Sequence, residues 1–531
     1  MPNQEFGGNR AINAPTVMSD NPDGAPAPAV GLIALIAGAK LFLHLLLSGR
    51  YGYFRDELYY LACGRHLAWG YVDHAPLIGL VARVALMLGG SLRVLRMIPA
   101  IECALVVVLT MLIAWRLGGG RFAQALAGLC ALVVPVYLAL DSIMTMNALE
   151  PVLWMSCVYV LIRIIQTGNS RLWILFGVFA GLGLMNKHST AFFGIAVVSA
   201  LLLTRQRAEF AKSWIWIGAV VAVLIFLPNL VWQIQHHFPT LEDLHNVRVS
   251  GKNVVLPPLK FIAQQIVTMN PVLFPVWFGG LWSLMLGRGR KYRLLGWIFL
   301  AFFSMMMILH GKDYYLAPIY PMLLAAGSVA AERRVRSWRW SAGRGWPQFA
   351  ALSVIACTGI AIAPLVLPLL SPENYVAYVS RIGFKPAKQE VSHESILPQM
   401  FADQFGWPEM VEQVAKVYSS LPRETQSKTA ILTGNYGEAG AIDLFGPKYN
   451  LPSAVSGHQT YYYWGTHGTT PENLITLQFG PRYLGEICNS VQEVAIHFHP
   501  WGMGEENDKI YFCRGLKKPL AEIWTDQKHW N

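Results

Sequence analysis

Long apolar runs recur along the first 370 residues of the chain, separated by short polar loops. Each run is about 16–23 residues long, which matches the thickness of a bilayer for a helix rising 1.5 Å per residue. The pattern therefore predicts a polytopic α-helical membrane protein with about eleven spans. They lie near 30–48, 93–115, 122–140, 147–165, 172–187, 189–204, 214–232, 271–287, 294–310, 315–331 and 349–370.

Two further apolar segments, 76–90 and 257–269, are short or carry a basic residue in their apolar stretch. A helix of this kind buries one face in the headgroup region and keeps the other in water. We interpret both segments as amphipathic helices that lie in the membrane interface.

Basic residues are concentrated in alternate loops, which sets the predicted orientation. These loops are short and rich in Arg and Lys, as the positive-inside rule requires of cytosolic loops. The net charge of +11 is thus a topology signal, and no nucleic-acid partner is needed to explain it. Residues 1–29 are interpreted as a disordered cytosolic tail. The basic loop residues are Arg116, Arg121, Arg163, Arg171, Arg205, Arg207, Lys212, Arg288, Arg290, Lys291, Arg293, Arg333, Arg334, Arg336, Arg339 and Arg344.

The last part of the chain, 372–531, has the composition of a soluble domain, and an odd number of spans places it on the extracytoplasmic side. Two strand-like pieces, 429–435 and 493–499, and a helical piece, 436–445, predict a small α/β domain. Cys488 and Cys513 are the two cysteines of this part, and a pair on an oxidising side is a disulfide candidate.

The densest group of charges follows the first span, in "YFRDELYYLACGRHLAWGYVDHAPL" (53–77). Asp56 and Glu57 are adjacent there, and carboxylates beside a membrane are costly unless they are hydrated, paired or used. An ordinary charged interfacial loop is the alternative. Asp141 ends the third predicted span, where it also suits a helix cap. Lys187 and Lys312 stand beside later spans, where a lysine is also able to snorkel harmlessly.

These carboxylates and cations come from distant loops but share one face of the membrane. A carboxylate is able to take the proton of an acceptor hydroxyl, and cations stabilise a departing phosphate. Together they fit transfer from a phosphate-linked donor.

The quoted segment, the aspartate that ends the third span, "NKHS" (186–189) and "GKDYYLAPIYP" (311–321) resemble the GT-C superfamily of membrane glycosyltransferases. The resemblance covers roughly 30–330 and is greatest to the bacterial branch of glycosyltransferase family 39, with its protein O-mannosyltransferases and aminoarabinose transferases. Where that family often has a Pro pair, this chain has "DHAPL" (73–77). The resemblance implies the domains 30–371, a GT-C transmembrane catalytic domain, and 372–531, a periplasmic α/β domain.

The resemblance further implies an inverting glycosyltransferase with its active site on the periplasmic face of the bacterial inner membrane. Its donor would be a polyprenyl-phosphate sugar and its acceptor an envelope lipid, glycan or protein. Asp56 matches the residue proposed as base, Glu57 is its neighbour, and Asp141 matches the second acidic position. The other implied site residues are Lys187, His188, Lys312 and Arg55 for the donor phosphate, and Asp73, His74, Tyr314 and Tyr315 for substrate.

Several alternatives stay open at this level. No cofactor is required, but a divalent metal is possible at His236, His237, Glu242, Asp243 and His245, which otherwise form a hydrated loop. The aromatic residues of the C-terminal part either face carbohydrate or form its core. They include Tyr436, Tyr461, Tyr462, Tyr463 and Trp464, with Glu438 and His458 beside them.

Two other function classes fit a polytopic, aromatic chain. A lipid-linked sugar transporter or flippase would show inverted repeats and ionisable groups near the bilayer midplane. A non-catalytic sensor or scaffold would tolerate the loss of Asp56.

The charge pattern makes a topology prediction. A reporter fused after Arg293 or Arg344 should be cytosolic, and one fused after residue 375 should be periplasmic, because basic and mixed-charge loops alternate without a break. Paired alkaline phosphatase and fluorescent-protein fusions measure this. A cytosolic C-terminal domain would reverse the predicted sidedness of the site.

Overall fold

The computed structural model describes residues 27–337, 345–385, 388, 390–391 and 394–531. The predicted tail lies largely outside these residues, as do the basic residues Arg339 and Arg344. The first part of the chain is helical. Its helices are α1 (Val30–Leu47), α2 (Arg55–Arg65), α3 (Leu77–Met87), α4 (Leu92–Arg116), α5 (Arg121–Val133), α6 (Pro135–Leu140), α7 (Met146–Thr167), α8 (Trp173–Asn186), α9 (Thr190–Leu202), α10 (Ser213–Gln235), α11 (Pro239–Ser250), α12 (Pro258–Thr268), α13 (Phe274–Met285), α14 (Arg293–Ile308), α15 (Tyr320–Ser337) and α16 (Trp346–Val366).

All eleven predicted spans coincide with helices, but not all of these helices are long. Within the described residues, 7 helices are long and apolar enough to cross a membrane, or up to 9 if each of two bent pairs is one span. The remaining two predicted spans coincide with shorter helices, at 121–140 and 170–186. The first of these is interrupted because Pro135 lacks an N–H and starts a new helix, α6. The chain is a multi-pass membrane protein.

The predicted interfacial segments are helical and separate from the long spans. Segment 76–90 contains α3, a helix of 11 residues. Segment 257–269 contains α12, and the chain between α12 and α13 bends by 94°. The bend occurs where Asn270 adopts a φ of 71° and Pro271 follows it. The bend separates α12 from α13, and the position of α12 in the membrane interface stays a prediction.

The C-terminal part is the predicted α/β domain. Its helices are α17 (Pro372–Ile382), α18 (Gln399–Ala402), α19 (Trp407–Ser420), α20 (Arg423–Ser427), α21 (Tyr436–Phe445), α22 (Tyr461–Trp464) and α23 (Pro481–Ile487). Its strands are β1 (Thr429–Thr433), β2 (Ala454–Ser456), β3 (Asn473–Leu477), β4 (Cys488–Ile496) and β5 (Lys509–Leu516). The strand order is β2-β1-β3-β5-β4, with β1, β2 and β3 parallel and β5 antiparallel to both of its neighbours.

The predicted disulfide is confirmed. Cys488 at the start of β4 is bonded to Cys513 in β5, with a Cα–Cα distance of 5.8 Å. The bond crosses the two antiparallel strands at one edge of the sheet. It closes a chain segment with a sequence separation of 25 residues, which the chain-entropy model values at about 3 kcal/mol.

The helices α2 and α3 share one hydrophobic core with the C-terminal domain. Leu58 and Tyr59 of α2 belong to the same buried cluster as Trp407 of α19 and Ile431 of β1. The backbones of α21 and α2 approach closely at Gly440, where an added Cβ would lie 2.8 Å from the Leu58 carbonyl carbon. The domain therefore packs directly on the helix that carries Asp56 and Glu57.

This close approach predicts the effect of one methyl group. Gly440→Ala should destabilise the protein by about 1–3 kcal/mol, because the methyl group meets backbone and cannot be accommodated by a rotamer change. Thermal unfolding in detergent measures it. Gly485→Ala in α23 is the matched control, since no heavy atom lies within 4 Å of its added Cβ. Equal melting temperatures for the two variants would contradict tight packing of α21 on α2.

Candidate active site

Asp56 lies where α2 meets the C-terminal domain. It is in the first turn of α2 and is partly exposed. The Tyr436 hydroxyl at the start of α21 donates a hydrogen bond of 2.8 Å to Asp56 Oδ1. The Tyr436 ring stacks on Tyr59 and on His458, with centroid distances of 4.8 and 4.9 Å. Membrane helix and soluble domain thus meet at this carboxylate.

The surroundings of Asp56 shift its pKa in both directions. Burial raises the pKa of Asp56, whereas the Tyr436 hydrogen bond and the Arg55 charge lower it, and the net result is a raised pKa. A carboxylate with a raised pKa is a better proton acceptor than a free one, provided that it is ionised. The titratable and charged groups that interact with it are Arg55, Tyr60, Asp73, His74, Lys252, Tyr314, Glu390, Asp403 and Tyr436.

Glu57 points away from this junction and is fully buried. Its two oxygens accept hydrogen bonds from Arg96 Nε (3.0 Å) and Arg96 Nη2 (2.8 Å). They also accept from the backbone N–H groups of Met144 and Phe54, both at 2.8 Å. The sequence predicted Glu57 as a site residue next to the base. The structure instead places it in a buried ion pair, where it joins α2 to α4 and to the chain before α7.

Arg55 also has a different environment from the predicted one. Its guanidinium lies 3.1 Å from an Asp403 oxygen, 2.5 Å from Glu505 and 3.9 Å from Glu506. All three carboxylates belong to the C-terminal domain, so Arg55 fixes that domain to α2. Because three carboxylates already surround the guanidinium, we do not assign Arg55 to the donor phosphate.

Asp73 and Tyr59 extend the site beside Asp56. The Tyr59 hydroxyl donates to Asp73 Oδ1 at 2.8 Å and lies 2.6 Å from Thr460 Oγ1 of the C-terminal domain. Burial raises the pKa of Asp73 to about 7, although the Tyr59 hydrogen bond lowers it. Asp73 is thus held at the junction by Tyr59, and its role in substrate binding stays a prediction.

His74 lies beneath Asp73 and is closed to substrate in this conformation. Its ring is 1% exposed and packs against Tyr59, Tyr60 and Tyr71. Burial lowers the pKa of His74 to about 4, so the imidazole is neutral near pH 7. His74 was predicted to contact substrate. In this structure it packs against the tyrosine rings and supports the loop that carries Asp73.

Lys187 and His188 follow α8, and both have protein partners. The Lys187 ammonium lies 2.7 Å from Asn147 Oδ1, 3.2 Å from Glu150 Oε2 and 4.6 Å from the centroid of the Tyr315 ring. His188 Nε2 lies 3.0 Å from Asn229 Oδ1. Lys187 and Tyr315, both predicted as site residues, are thus brought into contact.

Lys312 precedes the 3-10 helix Asp313–Ile319, whose Tyr314 and Tyr315 rings meet edge to face at 5.0 Å. The charge of Lys312 acts on Glu390, a carboxylate that the sequence analysis did not identify. Burial alone would raise the pKa of Glu390, but the charges of Lys252, Arg55 and Lys312 lower it. Lys252 was missed as well, because a lysine in a polar loop carries no signal until its fold neighbours are known.

Asp141 lies apart from these groups, in the helical bundle. Its Oδ2 lies 3.4 Å from Lys40 Nζ of α1, and both side chains are buried. The predicted catalytic Asp141 is therefore placed in an ion pair with the first span.

The segment that we considered for a divalent metal was expected to be a loop, but its residues 239–250 form α11, which contacts the C-terminal domain. Glu242 pairs with Lys528 at 2.7 Å, and Asp243 Oδ1 accepts a hydrogen bond of 2.9 Å from Gln459. No group of three metal-ligating side chains is found there among the described residues.

The aromatic residues of the C-terminal domain belong to two different environments. Tyr436 faces the site, whereas Tyr461 is buried in the shared core.

Part of the chain is similar in sequence to known membrane glycosyltransferases. Residues 73–232 match the family model described as dolichyl-phosphate-mannose-protein mannosyltransferase. The lipid A galacturonosyltransferase RgtD of Rhizobium johnstonii is 27% identical over 284 residues, which cover 51% of this chain and 58% of that protein. The match thus spans less than two thirds of the relative's length.

Two solved structures share the fold. ArnT from Cupriavidus metallidurans bound to undecaprenyl phosphate superposes with a TM-score of 0.59 and 16% identity, over 91% of this chain and 98% of ArnT. The oligosaccharyltransferase AglB from Archaeoglobus fulgidus, in complex with an inhibitory peptide and a dolichol-phosphate, gives 0.50 and 10% identity over 85% of this chain and 69% of AglB. The chain therefore shares the fold of these two membrane proteins over most of its length, and its residues 73–232 are similar in sequence to the matched family.

Proposed function

We propose that this protein is an inverting glycosyltransferase that moves a sugar from a polyprenyl-phosphate donor to a hydroxyl group of an envelope lipid, glycan or protein. The observation that carries the proposal is the position of Asp56. It is a partly buried carboxylate at the junction of the membrane helices and the C-terminal domain. The charge of Lys252 acts on it directly, and the charge of Lys312 acts on its neighbour Glu390. The likeness to RgtD makes lipid A the first acceptor to test.

The reaction needs a base and an anion site on opposite sides of one carbon. The acceptor oxygen attacks the anomeric carbon, its proton passes to Asp56, and the bond between that carbon and the phosphate oxygen breaks. The polyprenyl phosphate leaves with the bonding electrons. Attack from the face opposite the leaving group inverts the anomeric centre.

Four basic groups are assigned to the departing phosphate. Lys187, His188 and Lys312 are retained from the sequence prediction, and Lys252 is added because its charge acts on Asp56, Asp73 and Glu390. An anion that forms beside a low-dielectric bilayer is stabilised more strongly by a fixed cation than it would be in water.

We further propose that the site faces the periplasm, with residues 30–371 as the membrane domain and 372–531 as the periplasmic domain. The charge pattern of the loops and the disulfide of the C-terminal domain support this orientation.

The position of the candidate base favours the enzyme over a flippase. Asp56 and Asp73 lie in α2 and in the loop after it, outside the long apolar helices. A transporter would carry such groups near the bilayer midplane instead.

Replacing Asp56 and Glu57 separately tests the assignment. Asp56→Asn should lower transfer by about 10²- to 10⁴-fold, because the amide keeps the side-chain shape but cannot accept the proton. Its melting temperature and donor binding should stay near those of the wild type. Glu57→Gln is the matched control. It should lower the free energy of unfolding, because it leaves Arg96 buried with a neutral partner.

The measurement is transfer from a synthetic polyprenyl-phosphate sugar to lipid A in detergent, with thermal unfolding in parallel. An Asp56→Asn variant that keeps more than about a tenth of the wild-type rate would exclude Asp56 as the base. A wild-type protein that binds the donor but transfers it to no envelope acceptor would favour the sensor or scaffold.

Tyr436 should tune the base from the C-terminal domain. Tyr436→Phe removes the hydrogen bond that lowers the pKa of Asp56, so that pKa should rise. Activity requires ionised Asp56, and the acid limb of the kcat–pH profile should therefore move to higher pH. Tyr463→Phe is the control, because Tyr463 contacts His236 and not Asp56. An unchanged profile in Tyr436→Phe would show that the hydroxyl does not act on the base.

Lys312 should act on the leaving group. Lys312→Ala should lower kcat by about a hundredfold with the fold intact, since one well-placed charge contributes several kcal/mol to such a transition state. Lys416→Ala is the control, because Lys416 forms only an exposed pair with Glu412. Wild-type kcat in Lys312→Ala would remove this residue from the phosphate site.

A further inference from the structure

Three side chains from separate helical segments converge inside the membrane bundle, away from the site at Asp56. They are His44 of α1, Cys103 of α4 and Asp141, which follows α6. One ligand atom from each, a ring nitrogen, a sulfur and a carboxylate oxygen, lies within 4.8 Å of the other two. All three residues are buried, and the proposed glycosyl transfer uses none of them.

His44 is the member of this cluster that most needs an explanation. Its side chain is 3% exposed, and neither ring nitrogen has a hydrogen-bond partner among the described residues. A buried polar atom without a partner destabilises the fold, and surrounding lipid is unable to supply a hydrogen bond. Buried polar groups are therefore almost always paired with protein, water or an ion.

The other polar groups of the cluster have few partners, and those of Lys40 are distant. Lys40 Nζ lies 3.4 Å from Asp141 Oδ2 and 3.5 Å from the carbonyl oxygen of Leu132, both long for a charge-assisted contact. The Cys103 thiol donates to the Ala100 carbonyl oxygen at 3.0 Å. A second oxygen of Asp141, a thiol and an imidazole thus remain able to turn toward a shared ion.

We propose that His44, Cys103 and Asp141 bind a zinc-class transition-metal ion that joins α1 and α4 to the end of α6. One imidazole nitrogen, one thiolate and one carboxylate oxygen are the donor types that Zn²⁺ takes, whereas Mg²⁺ and Ca²⁺ prefer oxygen ligands alone. Zinc bonds of about 2.0–2.3 Å require the three atoms to draw together by side-chain rotation. The ion would satisfy the imidazole and replace the thiol proton.

Lys40 competes with a metal ion for the carboxylate of Asp141. Its ammonium and the metal ion both attract Asp141, so they oppose each other electrostatically. The proposal therefore makes an unusual prediction for a buried ion pair. Removing the positive charge with Lys40→Met should tighten metal binding, although it breaks the pair.

The test uses the full-length protein in detergent, stripped with a chelator, reloaded with ZnCl₂ and desalted. The metal content, measured by inductively coupled plasma mass spectrometry, should be about one zinc per chain, as three clustered ligands require. His44→Ala and Cys103→Ala should lose this zinc, whereas Cys130→Ala, which removes another buried cysteine, should keep it. Cobalt reloading should give a thiolate-to-metal absorption band that Cys103→Ala abolishes.

Thermal unfolding of the wild type with and without zinc provides a readout that needs no variant. A metal ion that binds only the folded state should raise the melting temperature as its concentration rises. Zinc content that is equal in the wild type and Cys103→Ala would overturn the proposal, as would an unchanged wild-type melting temperature. Zinc loss in Lys40→Met would also contradict it. None of these results depends on glycosyl transfer.

Discussion

Glu57 and Arg96 form a buried ion pair that fixes the position of α2. Removing one partner of such a pair typically costs 3–5 kcal/mol, because the other charge remains buried without compensation. Arg96 Nη2 also donates to the Gly52 carbonyl oxygen at 2.7 Å and to Gln404 Oε1 at 3.1 Å. A single guanidinium thus connects α4, the chain before α2 and the C-terminal domain. The orientation of Asp56, one residue before Glu57, follows from this connection.

Arg55 completes the arrangement on the other side of Asp56. It pairs with carboxylates of the C-terminal domain, whereas Glu57 pairs within the membrane bundle. Three consecutive residues of one helical turn point in different directions, as a 3.6-residue period requires. Two of them anchor the helix, and the third is left at the junction with one hydrogen bond from Tyr436. A candidate base held in this way loses little orientation freedom when substrate binds.

The fold class was predictable because apolar run length and loop charge are local properties of a membrane sequence. The helix 436–445 and the strand from Thr429 were predictable from local sequence pattern as well. The Cys488–Cys513 bond was predictable because the C-terminal part has two cysteines and was expected on an oxidising side. The partners of Arg55 and Glu57 were not, since they lie hundreds of residues or several helices away. Lys252 and Glu390 were missed because their charges matter only through folded neighbours. The shorter helix α5 reflects Pro135, a local signal that run length alone overlooks.

The core shared by α2, α3 and the C-terminal domain has a consequence for how such proteins are recombined. Leu58 and Tyr59 of α2 pack in one cluster with Trp407 and Ile431. A chimaera that takes its soluble domain from a relative keeps only the α2 and α3 side of this interface. The foreign domain would then leave apolar surface exposed or clash with α2 at the position of Gly440. The natural unit of exchange is therefore not the domain between its linkers. It is the domain together with the two short helices on which it rests.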